Sequence, residues 1–285
     1  KNNHLCKLHR KLRQLDMEKK RILFVAQEIT PYLNESHMST IGRYLPQGIQ
    51  EKGREIRTFL PRYGNINERR NQLHEVIRLS GMNLIIDDAD HPLIIKVASI
   101  QQARMQIYFI DNEDYFHRKA TLRDKNGKFF NDNDERMIFY SRGVLETVKK
   151  LGWGPDLVHC HGWFSSLVPL YIKKAYKDNP LFSDTKVVFS IYDDGFEEIM
   201  SSDFAKKILM EGIETADVEH YNAPDYVKLI KAAIDYSDAL IIGSEKINPE
   251  IEKYLQKIKK PVLKYHDQET YVDAYNAFYD EVMGI

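Results

Sequence analysis

Polar and aromatic residues recur just after short apolar runs. They are Gln27-Glu28, Pro61-Arg62-Tyr63, Asp111-Asn112, His161-Gly162-Trp163, Tyr192-Asp193 and Ser244-Glu245. If each apolar run is a strand of one open α/β sheet, these residues share the rim where such sheets bind ligands. A carboxylate, a guanidinium, an imidazole and aromatic rings on one rim suit a sugar. Polar groups meet the hydroxyls and flat faces meet the ring. Strand ends are polar in many folds, so a bland reading stands beside this one. His159-Cys160-His161 invites a metal reading, but alternate residues of a strand face opposite ways. The histidines therefore share one face and Cys160 takes the other, and no second Cys/His cluster has zinc-site spacing. No metal site is expected. His161, nearer the strand end, is expected to be the more exposed and to face a ligand. His159 is expected to be buried and hydrogen-bonded.

Other signatures are missing or bland. There is no G-x-x-x-x-G-K-[ST] and no G-x-G-x-x-G, so the usual phosphate loops are absent. Gly162 to Ser166 lacks the G-x-S-x-G pattern of a nucleophile elbow. The acidic clusters Asp87-Asp88-Ala89-Asp90 and Asn131 to Glu135 read as a solvated turn and a helix N-cap, without the full calcium-loop pattern. Tyr271, Tyr275 and Tyr279 form a stripe at four-residue spacing, expected to be a helix face packed on the main domain.

The elements that would hold these residues alternate. Ile22 to Ala26 is an apolar run without period, the mark of a strand buried on both faces. Residues 40–52 predict a helix, with Ile41, Leu45 and Ile49 on one side, Pro46 inside and Gly53 as C-cap. Glu55 to Leu60 predicts a second strand. Strands around Leu84, Leu93 to Ala98 and Met105 to Ile110 predict a hairpin-rich insert. A polar loop to Asp134, turning at Asn126-Gly127, leads to a helix over 134–151. Strands at 156–161, 186–192 and 239–243 alternate with helices at 165–177 and 224–236. Helices near 248–258 and 268–282 close the chain around Pro261-Val262-Leu263. Strands alternating with helices give an α/β class with a Rossmann-like, doubly wound, mostly parallel sheet.

The 285 residues are 43% hydrophobic, enough for a sizeable core. Lys and Arg number 41 against 42 Asp and Glu, so no nucleic-acid or polybasic membrane role is supported. No apolar run approaches the ~20 residues that span a bilayer. The two cysteines suit a reducing, cytoplasmic location. Residues 1–16 are strongly basic, and Met17 reads as a natural start with 1–16 as an added extension.

In order, the motifs resemble the N-terminal half of bacterial glycogen synthases and plant starch synthases, glycosyltransferase family 5. The match covers about residues 20–250. It begins with Arg21 to Glu28 and Pro31, then Leu45-Pro46, Lys52-Gly53 and Leu60-Pro61-Arg62-Tyr63-Gly64. It continues with Tyr115-Phe116-His117-Arg118 and Asn133 to Arg142, and ends with Asp156 to Trp163, Val188 to Ile191 and Lys231 to Asp238. The resemblance implies one half of a GT-B fold, in which two Rossmann-like domains face a cleft. It implies transfer of glucose from ADP-glucose or UDP-glucose to an α-1,4-glucan, with retention, and no cofactor or metal. The N-terminal half would hold the acceptor and part of the donor glucose, through Glu28, Asn34, His161, Trp163 and Tyr192. An α-1,4-glucan or other glucose-containing ligand, a nucleotide sugar, and a partner chain supplying a second domain are the expected partners. Residues 17–244 would be the Rossmann-like domain and 245–285 a helical tail packing on it.

The departures matter as much. The family's K-T-G-G-L-x-D loop is here Asn34-Glu35-Ser36-His37-Met38-Ser39-Thr40. The lysine position is Asn34, and the glycines are Ser36 and His37. Glycines there let backbone N–H groups approach a phosphate at a helix N-terminus. The family's H-D-W-H becomes His161-Gly162-Trp163-Phe164, and T-I-H-N becomes Ser190-Ile191-Tyr192-Asp193. Two readings stay open: a glycogen/starch synthase-type glucosyltransferase, and a non-catalytic glucan-binding or regulatory relative that acts with a synthase. No catalytic residue is assigned.

Overall fold

The computed structural model describes residues 19–285, so the expectations for residues 1–16 and Met17 lie outside the described residues. Arg21–Ala26 (β1) has no period because it is covered on both faces, with Ile22, Leu23, Phe24 and Val25 all buried. His37–Glu51 (α1) begins before Thr40. Ser36 and Ser39 exchange side-chain and backbone bonds in a capping box that starts the helix there. Pro46 sits within α1, and Gly53 follows its C-cap with φ 90. Glu55–Pro61 (β2) then pairs parallel with β1.

The insert between β2 and its next parallel neighbour consists of His74–Glu75 (β3), Met82–Ile86 (β4) and Ala89–Ile100 (β5). Asp87 and Asp88, at φ 49 and 63, are the two central residues of the β4–β5 turn. The first acidic cluster is therefore hairpin chemistry. Met105–Asp111 (β6) pairs antiparallel with β5 and parallel with β2. Glu113–Phe116 (α2) and the long Asn133–Leu151 (α3) follow, then Leu157–His161 (β7), Val168–Lys173 (α4) and Lys186–Ile191 (β8). Phe204–Ile208 (α5), Tyr226–Tyr236 (α6), Ala239–Ile242 (β9), Pro249–Leu255 (α7), Val262–Leu263 (β10) and Tyr271–Met283 (α8) complete the chain.

The sheet runs β10-β9-β8-β7-β1-β2-β6-β5-β3, parallel from β10 to β6. On one face, α3, α4 and α6 bury residues such as Phe139, Leu170 and Ile230. On the other, α1 and α8 cover Ile22, Phe24, Leu157 and Val188 with Leu45, Ile49, Tyr275 and Tyr279. Helices on both faces make the doubly wound α/β architecture expected from the alternation of elements.

Two local expectations are corrected, and one segment gains structure. The helix expected over 165–177 is only α4, preceded by a 3₁₀ turn at Trp163–Ser165. Pro169 stands in the first turn of α4, where its missing N–H costs no intrahelical bond, and this favours a start at Val168. Asp132 stands at the N-cap of α3 but makes no capping bond, since its carboxylate pairs with Arg118 at 2.9 and 2.6 Å. The segment between β8 and α6, unassigned from the sequence, holds α5 and a 3₁₀ helix at Thr215–Tyr221.

Candidate functional site

A cleft of about 350 Å³ opens at the carboxyl ends of β1, β7, β8 and β9. Glu28 follows β1, Trp163 follows β7, Tyr192 to Phe196 follow β8, and Ser244 follows β9. The start of α1 forms one wall. There Ser36 donates its hydroxyl to Glu28 Oε2 at 2.7 Å, and His37 Nε2 lies 2.7 Å from the Gly243 carbonyl. The turn after β7 depends on Gly162, at φ 82 and ψ 162, a region open essentially to glycine alone. A Cβ there would also meet Gln27 Oε1 at 2.6 Å. That turn directs the Trp163 N–H to Asp194 Oδ2 (3.0 Å) and the Phe164 N–H to Gln27 Oε1 (2.9 Å). Tyr226 donates its hydroxyl to Asp194 Oδ1 at 2.9 Å. Burial pushes the Asp194 carboxyl up to about 7, against the opposing pull of those bonds.

Trp163, Phe196 and Phe129 form an aromatic wall, with ring centroids 4.8, 5.0 and 5.7 Å apart. Phe129 and Arg123 arrive from the loop between α2 and α3. Arg123 is held there by a forked bond to Glu198, one arm of which is 2.8 Å. The cleft thus offers the partly exposed Phe196 ring, backed by the buried Trp163 and Phe129, beside carboxylate and hydroxyl groups, and its volume lies at the lower end of small-molecule sites, about 300–1,000 Å³.

The rim expected from the sequence is brought together only in part. Glu28, Trp163, Tyr192, Asp193 and Ser244 line the cleft. Asn34 is exposed and off the cleft lining, and its carbonyl accepts from Ser39 Oγ at 3.1 Å. His161 is not exposed: only 1% of it is accessible, because α8 covers that face of the sheet. Its Nδ1 lies 2.8 Å from the Tyr192 hydroxyl, and burial pushes its pKa down to about 3, so it is neutral. It supports the cleft from beneath through Tyr192. His159 is buried and bonded, 2.6 Å from the Tyr279 hydroxyl and 2.7 Å from Ser190 Oγ.

Arg62, Tyr63, Asp111 and Asn112 do not reach the cleft. Arg62 lies 3.1 Å from both Asp111 and Glu68, Tyr63 is fully buried, and Asn112 caps α2. Glu245 lines a separate cavity beside α7. Arg123, Phe129, Asp194 and Phe196 went unassigned from the sequence. Asp194 and Phe196 stood within four residues of a named strand end, and that was the only signal available.

The electrostatics disfavour a diphosphate at the start of α1. The Ser36 hydroxyl already accepts the Ser39 N–H (3.0 Å), and the Glu28 carboxylate sits against it. The partial positive charge of a helix N-terminus is offset where an anion would be held. Among the described residues, no group of three His, Cys, Asp or Glu side chains is placed to hold a metal ion. Nor among them is any helix long and apolar enough to cross a membrane.

Comparison with known proteins decides the family. A family model described as the starch synthase catalytic domain matches residues 21–260. The chain belongs to this family. It is 35% identical over 232 residues to the glycogen synthase of Chlorobium limicola, covering 81% of this chain and 47% of that protein. It is 28% identical to the glycogen synthase of Chlorobaculum parvum, covering 93% of this chain and 63% of that protein. The chain therefore spans about half the length of the curated relatives it matches. In fold it is similar to the catalytic domain of starch synthase IV from Arabidopsis thaliana bound to ADP and acarbose. That match has a TM-score of 0.69 at 17% identity, over 89% of this chain and 53% of that one. The chain is a glycogen/starch synthase-like domain, and the GT-B expectation for its sheet is met.

Proposed function

We propose that this chain acts in α-glucan synthesis as the half of the glucosyltransferase scaffold that holds the glucan acceptor. Residues 17–244 would be the Rossmann-like unit, and 245–285 a tail that covers its α1 face. The observation that carries this reading is the aromatic wall of Trp163, Phe196 and Phe129 beside Glu28 in one cleft at the strand ends. Aromatic faces suit the apolar faces of a pyranose, while the carboxylate and Ser244 suit its hydroxyls. His161 would act as a positioning residue under Tyr192 rather than as a sugar contact. Calorimetry with maltoheptaose tests the reading. Binding that weakens in Phe196→Ala supports it, and no heat at millimolar glucan overturns it.

A second reading is favoured by a specific observation. With Ser36 closed on Ser39 and Glu28 beside it, the start of α1 offers a nucleotide diphosphate little stabilisation as it leaves. On this reading the chain binds glucan without transferring glucose itself, and works alongside a synthase. Binding of ADP-glucose or UDP-glucose at micromolar strength through this half would overturn it.

A further inference from the structure

The opposite end of the sheet carries a second cavity, of about 670 Å³, where the amino ends of β2 and β6 meet the turn after β5. Arg57, Arg104, Lys19 and Arg54 line it together with the neutral Gln50 and Gln106. Arg54 is paired with Asp280. Glu55, also on the lining, has one oxygen on Trp153 Nε1 and the other 3.5 Å from Arg21 Nε. Arg57, Arg104 and Lys19 have no carboxylate partner among the described residues.

Arg57 is held in place without a counter-charge. It donates to the Tyr108 hydroxyl, and its guanidinium lies 5.6 Å from the Tyr108 ring and 5.1 Å from the Trp153 ring. Its Nε and the Oε1 of Gln50 are buried with no hydrogen-bond partner. Two such atoms on the lining of one cavity leave hydrogen-bonding capacity there for an occupant. Arg104 is exposed and adopts a left-handed backbone, φ 50, uncommon outside glycine, asparagine and aspartate.

We propose that this cavity binds an organic phosphate, at a site separate from the strand-end cleft. Arg57, Arg104 and Lys19 would hold the phosphoryl oxygens, and Gln50 and Gln106 the hydroxyls of the attached group. Guanidinium forks match phosphate oxygens in pairs, and three uncompensated cations exceed what one carboxylate would neutralise. The volume exceeds what a bare inorganic ion fills. A ligand here would brace β2 and β6 from the end opposite the cleft.

Titration of the full chain with glucose 6-phosphate, inorganic phosphate and glucose, at low ionic strength, tests the site. Glucose 6-phosphate is expected to bind and inorganic phosphate more weakly, while any heat from glucose, which belongs to the strand-end cleft, should be the same in Arg104→Asn as in the parent. Arg104→Asn keeps the left-handed backbone accessible and should weaken binding about tenfold, the loss of one charge-assisted contact. Lys19→Ala should weaken it less, and both variants should keep the melting temperature and the maltoheptaose affinity of the parent. Absence of phosphate binding, or binding that neither variant alters, overturns the site. Inorganic phosphate binding as tightly as glucose 6-phosphate overturns the assignment to an organic ligand.

Discussion

Phe196 is the residue on which the sugar reading can be tested with least damage to the fold, because it is only partly buried while Trp163 is 2% exposed. Removing one ring from an aromatic contact costs about 0.5–1.5 kcal/mol. Phe196→Ala should therefore weaken maltoheptaose binding roughly two- to tenfold, read by calorimetry, with a modest fall in melting temperature from the lost contacts with Trp163, Phe129 and Tyr226. The buried histidines predict a pH dependence. Burial holds both below the ordinary value near 6.5, His161 at about 3. Below about pH 6.5 the unfolded chain binds protons that the folded chain refuses, so stability falls on acidification. Asp194 works the other way. Its carboxyl is raised to about 7, so its contribution is full below the unfolded value of about 3.9 and is lost as pH rises towards 7. Between pH 7 and 5.5 the two effects partly cancel. Asp194→Asn, which removes the opposing group, should steepen the loss of stability over that window in urea titrations. An unchanged slope would show that Asp194 is ionised like a surface carboxylate.

At this scale the strand-end rule held for β1, β7, β8 and β9 and failed for β2 and β6, whose Arg62 and Asn112 are engaged elsewhere. Glu28, Trp163, Tyr192 and Ser244 reached the cleft on that basis. His161 failed the same rule because α8, more than a hundred residues later, covers its face. Arg123 and Phe129 were hidden because their loop is placed by the Arg123–Glu198 pair, 75 residues apart in sequence.

Among the elements, α1 is the one both sides of the molecule depend on. It packs on α8 at Gly48, where a Cβ would meet Val272 Cγ1 at 2.5 Å. Alanine is a better helix former than glycine by about 1 kcal/mol, but overpacking costs about 1–3 kcal/mol, and valine has a stiff side chain. Gly48→Ala should therefore destabilise, and adding Val272→Ala should recover most of the loss in denaturant titrations. A stabilised single variant would mean that α8 yields freely. The cap at the other end of α1 is worth about 1 kcal/mol, so Ser36→Ala should lower stability by that amount. The strands of the parallel sheet were readable as apolar runs, and α1, α3 and α6 by their periodic faces. The short α5 and the 3₁₀ helix at Thr215–Tyr221 were not, because five to seven residues show no period and, unlike α4 and α7, these two do not alternate singly with strands.

For the whole molecule, a doubly wound sheet places one cleft at the carboxyl ends of β1, β7, β8 and β9, where such sheets bind ligands, and a cationic cavity at the other end of β2 and β6. The family was legible from the ordered series of motifs spread over most of the chain, which no single motif could have supplied. What the motif series concealed was the effect of its substitutions. Ser36 and His37, at the positions where the resemblance expects glycines, form a cap and a tie to Gly243, which only three-dimensional packing reveals. The central claim is that this cleft takes a neutral glucan and offers no seat to a sugar nucleotide's diphosphate. Side-by-side calorimetry of the full chain with maltoheptaose and with ADP-glucose tests it most directly. The account predicts heat with maltoheptaose that diminishes in Phe196→Ala, and none with ADP-glucose at the same concentrations. Micromolar binding of ADP-glucose, or no binding of maltoheptaose, would contradict it.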